Sequence, residues 1–257
     1  MNTLIMKFGG ASVATPEQFS SIADLIIEKR KSFPRVVVVV SAMGQTTNQL
    51  IELARKVHPN PPQREYDMLI SAGERISMSL LAMALCRKGI DAISFTGSQS
   101  GILTCGNHSN AQIMDVRPCR LHDCLSHGQV AIVAGFQGIS PQKEITTLGR
   151  GGSDTTAVAL GVALNADRVE FYKDVKGIFD YDPKLCKDAT LLTSLSYKSA
   201  LKIVNNGAKV LHARAIQLAQ KNGLPLLVRS FISTEESEEG TWIADQSFPR
   251  QLKPIYE

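Results

Sequence analysis

The chain has 257 residues, 44% of them hydrophobic and 20% charged, with a formal net charge of +4. That composition suits a globular protein of one large α/β domain or two small ones. No block of like charge supports nucleic-acid binding, whereas small anionic substrates fit a mildly basic chain. The apolar runs are too short to suggest a bilayer span, the first residues lack a secretory layout, and five cysteines without a C-x-x-C pair fit free thiols in a reducing cytoplasm.

Short apolar strands alternate with helical patterns along the chain. Residues 4–8 read as a strand ending at Gly9-Gly10. Thr15 then caps a helix with Pro16 at its first position and Phe19, Ile22, Ala23 and Ile26 on one face. Residues 36–40 are all valine, bounded by Pro34 and a 41–44 turn, as expected of a strand buried on both faces. A helix over 47–56, a proline-rich connector over 59–62 and a helix over 71–87 follow. Further strands are expected at 92–95, 130–134, 169–172 and 226–228, with helices over 155–164, 197–205 and 213–221. This alternation predicts an α/β fold: a mostly parallel central sheet with helices on both faces.

In such a sheet, ligands gather where strand ends feed loops and helix N-termini. Four of these places are rich in Gly, Ser, Thr and charge. Lys7-Phe8-Gly9-Gly10 would let backbone N–H groups approach phosphate oxygens beside a cation, although a tight turn with an exposed lysine has the same look. The run from Ser41 to Asn48 places hydroxyls before a helix start, which also fits an ordinary cap. Gly149-Arg150-Gly151-Gly152-Ser153-Asp154 puts an arginine fork and an acid on one glycine-rich turn, which capping alone does not explain. The stretch from Tyr172 to Lys184 alternates charge and aromatic character, fitting a nucleotide loop or a solvated hairpin equally well. Between Cys105 and His127, three cysteines and three histidines invite a metal reading. Leu121 and Leu125 instead set the buried face of a short helix there, and no metal site is expected.

Taken together and in order, these segments resemble the aspartokinases of the amino acid kinase family. The residues that carry the resemblance are KFGGASVA from Lys7, VVSAMGQTTNQL from Val39, SAGERIS from Ser71 and GNHSNAQI from Gly106, followed by VAGFQG from Val133, TTLGRGGSDTTAVAL from Thr146, DVKGIFDYDPK from Asp174 and NGAKVLHARA from Asn206. The resemblance implies a three-layer α/β/α sandwich with an amino-acid-binding N-terminal half and a nucleotide-binding C-terminal half. It implies ATP-dependent phosphorylation of the L-aspartate β-carboxylate with Mg²⁺. Lys7, Asp154 and Lys209 would be catalytic. Lys7, Gly9, Gly10, Ser41, Lys173, Asp174, Phe179, Lys184 and Lys209 would hold the nucleotide, and Thr47, Glu74, Arg150 and Ser153 the amino acid.

Three positions depart from the family pattern: Ala11 and Lys173 stand where threonine is usual, and Ala213 where proline is usual. The kinase core would occupy 1–243 and a short tail 244–257, too short for the paired ACT modules that commonly follow. Indifference to lysine, threonine and methionine is therefore expected, and any homodimer would use the kinase core. A member acting on glutamate or acetylglutamate is the nearest alternative. A catalytically silent sensor is the other, and retention of Lys7, Arg150, Asp154 and Lys209 argues against it.

Overall fold

The computed structural model describes residues 2–181, 188–208, 210–231, 240–245 and 253–256. Lys184 and Lys209 lie outside the described residues. In chain order the first elements are β1 (Thr3–Phe8), α1 (Pro16–Arg30), β2 (Arg35–Val40), α2 (Thr46–Val57), α3 (Gln63–Ile70), α4 (Ala72–Arg87) and β3 (Ala92–Phe95). Next come β4 (Ile102–Thr104), β5 (Ile113–Val116), α5 (Cys119–Ser126), β6 (Val130–Ala134), β7 (Gln137–Ile139), β8 (Ile145–Thr147) and α6 (Gly152–Ala163). The last are β9 (Arg168–Lys173), β10 (Ser194–Leu195), α7 (Tyr197–Asn205), α8 (Ala213–Asn222), β11 (Leu226–Ser230) and β12 (Thr241–Ile243).

An eight-stranded sheet in the order β10-β12-β11-β9-β1-β2-β6-β3 forms the middle layer. Its pairs are parallel except β11 with β12. The period-2 geometry of a strand sends alternate side chains into two cores. Leu4, Met6, Phe8, Val36, Val38 and Val40 pack under α1 and α4, while Ile5, Val37 and Val39 pack with α5, α6, α7 and α8. The all-valine strand is buried throughout, so each of its side chains contributes about 1.5–3 kcal/mol of transfer free energy. This is the expected α/β/α sandwich.

The structure adds three features to the expected list. A second sheet, β5-β4-β7-β8, projects from the sandwich and delivers Thr147 to the cavity described below. The segment α3 fills the gap after the proline connector. The helix expected from 155 begins three residues earlier, at Gly152, on a left-handed Gly151. Residues 63–87 also form a 25-residue stretch apolar enough to cross a membrane by length and mean hydropathy, 1.4. They fold here as two helices joined at Ser71, with Met78, Leu81 and Leu85 packed into the core shared with α1.

A charge cluster ties α1 to the sheet. Glu170, fully buried in β9, lies 2.6 Å from Arg168, 3.4 Å from Lys29 and 3.6 Å from Arg229, and accepts the Tyr172 hydroxyl at 2.5 Å. Burial pushes its carboxyl up, but Lys29, the Tyr172 hydroxyl and Arg168 outweigh this and hold it below the usual range.

Candidate active site

Lys7 shares a strand face with Ile5 but comes one step later, where the core gives way to the N-terminus of α6. Its ammonium therefore meets a first-turn helix residue: Nζ lies 2.6 Å from Asp154 Oδ1, with both side chains nearly buried. The pair borders a cavity of about 720 Å³ at the C-terminal ends of β1 and β2, the position where open parallel sheets bind ligands. The loops after these strands meet directly, the Gly44 N–H donating to Gly10 O at 3.1 Å. Ser41 and Gly10 line the cavity beside Lys7, and Thr47 faces it from the first turn of α2.

Opposite them stands the glycine-rich turn. Gly149 and Gly151 both adopt left-handed φ near 71°, and exposed Arg150 between them lines the cavity. A methyl group at Gly151 would fall 2.1 Å from His212 Cγ, so only glycine allows this turn to close against the start of α8. The Gly152 N–H turns back onto Gly149 O at 3.1 Å, and Ser153 and Asp154 follow it in the first turn of α6, where N–H groups have no partner within the helix and suit phosphate or carboxylate.

The electrostatics divide the cavity into two characters. Burial pushes the Asp154 carboxyl up, but Lys7 and Lys173 outweigh it and keep the group below its ordinary range. Burial, with Lys7 as a like charge, brings Lys173 down to about 8, so two cations and one anion converge here. Glu74 is the opposite case. It accepts the Ala42 N–H at 3.2 Å through Oε1, while Oε2 is buried without a hydrogen bond. Burial raises it to about 7. A buried acceptor left open beside a cavity fits a cationic group of a ligand.

Lys7, Gly10, Ser41, Thr47, Glu74, Arg150, Ser153 and Asp154 are thus gathered around one cavity. Gly9, Lys173, Asp174 and Phe179 do not line it. Lys173 stands close enough to Lys7 and Asp154 to couple to them electrically. Asp174 is exposed at the end of β9, and Phe179 forms an isolated bridge with Leu191. Lys184 and Lys209 are not described. The cavity also has walls to which sequence reasoning gave no role: Tyr66 and Ile70 from α3, Ser109, Phe136 and Thr147. Ser109 lay within a quoted motif, GNHSNAQI, but its neighbours gave no hint of which residue would face the site.

The sequence model of the amino acid kinase family matches residues 2–230. The chain belongs to the amino acid kinase family. Among curated members, the aspartokinase of Mycolicibacterium smegmatis is 52% identical over 234 residues, 91% of this chain and 56% of that protein. Among solved structures, aspartate kinase from Synechocystis superposes with a TM-score of 0.84 at 43% identity, covering 96% of this chain and 41% of that one. E. coli aspartokinase III in complex with aspartate and ADP (R-state) also gives 0.84, at 26% identity, covering 96% of this chain and 65% of that one. The chain spans 56% to 61% of the length of the curated relatives it matches.

Proposed function

We propose that this family member is the catalytic unit of an aspartate kinase, transferring the γ-phosphoryl group of ATP to the β-carboxylate of L-aspartate. The observation that carries the reading is one cavity with two chemistries: a buried Lys7–Asp154 pair at one place, and Arg150, Thr47 and open Glu74 around it. Likeness to an enzyme whose structure holds aspartate and ADP supports the same ligands here. The N-terminal half would hold the amino acid and the C-terminal half the nucleotide.

The nucleophile needs no general base, because a β-carboxylate with an ordinary pKa of about 3.9 is already ionised at neutral pH. The obstacle is repulsion between that anion and the phosphates. Lys7 would neutralise charge on the transferring group, with the N–H groups at the start of α6 and the Gly9-Gly10 turn nearby. Arg150 would fork the α-carboxylate, and Glu74 would take the α-ammonium with its open oxygen. Asp154 would orient Lys7 and, as a buried carboxylate beside it, would be the residue to hold a Mg²⁺ bound with the nucleotide. When bound, that ion would screen the phosphate charge. Lys173 and Lys209 would add positive charge at the nucleotide.

The test is to incubate the chain with Mg·ATP and a panel of acidic amino acids, trapping acyl phosphate with hydroxylamine. Saturable aspartyl hydroxamate with matching ADP release is expected. Equal or greater trapping with glutamate or acetylglutamate would move the assignment to another acid, and none with any acid would end it.

A further inference from the structure

Asp67 lies on α3 and is fully buried, yet it makes no ion pair with a lysine or arginine among the described residues. Its carboxylate is held by donors from two other segments. The Ser109 N–H reaches both oxygens at 3.1 and 2.9 Å, and the Ser109 hydroxyl reaches Oδ1 at 3.2 Å. The Thr147 N–H donates to Oδ2 at 2.9 Å and the Thr147 hydroxyl to Oδ1 at 2.7 Å. His108 Nδ1 stands 3.0 Å from Oδ2. A buried carboxylate is tolerated only when its lone pairs are filled, and here they are filled by residues that line the cavity.

The geometry points to Asp67 as a positioning residue for the amino-acid side of the site, a role that rests on the function proposed above. Three features place it there. Both of its main partners, Ser109 and Thr147, line the cavity, as do its helix neighbours Tyr66 and Ile70. Ser109 carries a left-handed φ of 65°, unusual for a serine, so its loop is held in shape by contacts of this kind. The loop in turn abuts the arginine turn: a methyl at Gly149 would lie 3.0 Å from Asn110 Oδ1 and 3.1 Å from Ser109 O. Thr147 is also only three residues before Arg150, separated from it by Leu148 and Gly149, and the Leu148 N–H is fixed on Phe136 O at 2.9 Å. One carboxylate thus fixes the two supports from which Arg150 is presented. Asp67 does not itself line the cavity and acts through Ser109, Thr147 and the turn.

Asp67→Asn keeps the size but sets an amide N–H against N–H donors. In the folded variant, kcat/KM for aspartate should fall by about 10²-fold, the scale of a 1 Å misplacement at a reacting group, with KM for ATP unchanged. Thr147→Val, which keeps the shape and removes the 2.7 Å bond, should shift aspartate in the same direction by less and combine non-additively with Asp67→Asn. Unchanged aspartate kinetics, an equal loss for both substrates, or simple additivity would overturn the assignment. If Asp67→Asn does not fold, Thr147→Val decides alone, and an unchanged aspartate KM overturns it. Should the wild-type chain turn over no aspartate, the proposed function fails, and hydrogen exchange then judges Asp67 separately. Selective loss of protection at 105–111 and 145–150 in Asp67→Asn upholds it; unchanged protection there overturns it.

Discussion

Under the proposed function the charge chemistry falls to Lys7 and Asp154, which lie 2.6 Å apart, and the two should fail together. Lys7→Ala and Asp154→Ala are each expected to lower kcat by about 10²–10³-fold with little change in aspartate KM, the scale of losing one preorganised stabilising group. Steady-state kinetics on folded variants checks this, and near-normal kcat in either removes that residue from the mechanism. Arg150→Lys should instead raise aspartate KM sharply at saturating ATP, because an ammonium cannot copy a bidentate fork. Glu74 bears a different burden. Its carboxyl is raised to about 7 by burial, so the folded state holds that proton more tightly than the unfolded chain, where the group titrates near 4.5. Stability therefore falls as pH rises from 4.5 through about 7, and the loss is complete above it. Glu74→Gln should be more stable than wild type at pH 8 by up to about 3 kcal/mol, while binding aspartate more weakly. Thermal melts of both proteins at pH 5 and pH 8 test this; an equal difference at the two pH values would contradict it.

Among the elements, the Glu170 cluster is the joint whose loss is most readily measured. Glu170→Ala leaves Lys29, Arg168 and Arg229 facing one another around a vacated carboxylate. Breaking a buried ion pair from one side costs about 3–5 kcal/mol, so a fall in melting temperature on the order of 10 °C is expected. The kcat of the folded variant should hold, since Glu170 does not line the cavity. The central strands and flanking helices were legible because their signals are local: an all-valine run, a Thr-Pro helix start, apolar residues at helical spacing. The second sheet was not, because strands of three or four residues such as Ile102–Thr104 and Ile145–Thr147 are too short to show a period. Likewise α3 has no cap signal after its prolines, and Asp67 in its polar first turns looks like an ordinary surface acid. Three of the four loop motifs, at 7–10, 41–48 and 149–154, supply residues of the cavity wall, and the 172–184 stretch supplies none among its described residues; glycine and charge at strand ends are what made those three visible. Tyr66, Ser109 and Thr147 reach it only through tertiary packing, which no local pattern encodes.

At the scale of the molecule, the strand order places β1 between β2 and β9, so the lysine at its end lies at the centre of the sheet rather than at an edge. The C-terminal half supplies one neighbour of that strand, β9, and the N-terminal half the other, β2, which under the proposed function would suit transfer between two ligands. The same order has a consequence for how the chain is made. Residues 4–8 pair with 168–172, so the first strand waits for its second partner until almost 170 residues have left the ribosome, about 10–30 s at ordinary synthesis rates. Through that interval β1 keeps one edge without its strand partner, and exposed strand edges of this kind recruit other chains. Refolding by dilution from urea should accordingly give yields that fall as protein concentration rises, and a flat yield across concentrations would refute the idea. The central position of β1 thus implies that the strand carrying Lys7 presents an open edge in the nascent chain until β9 arrives.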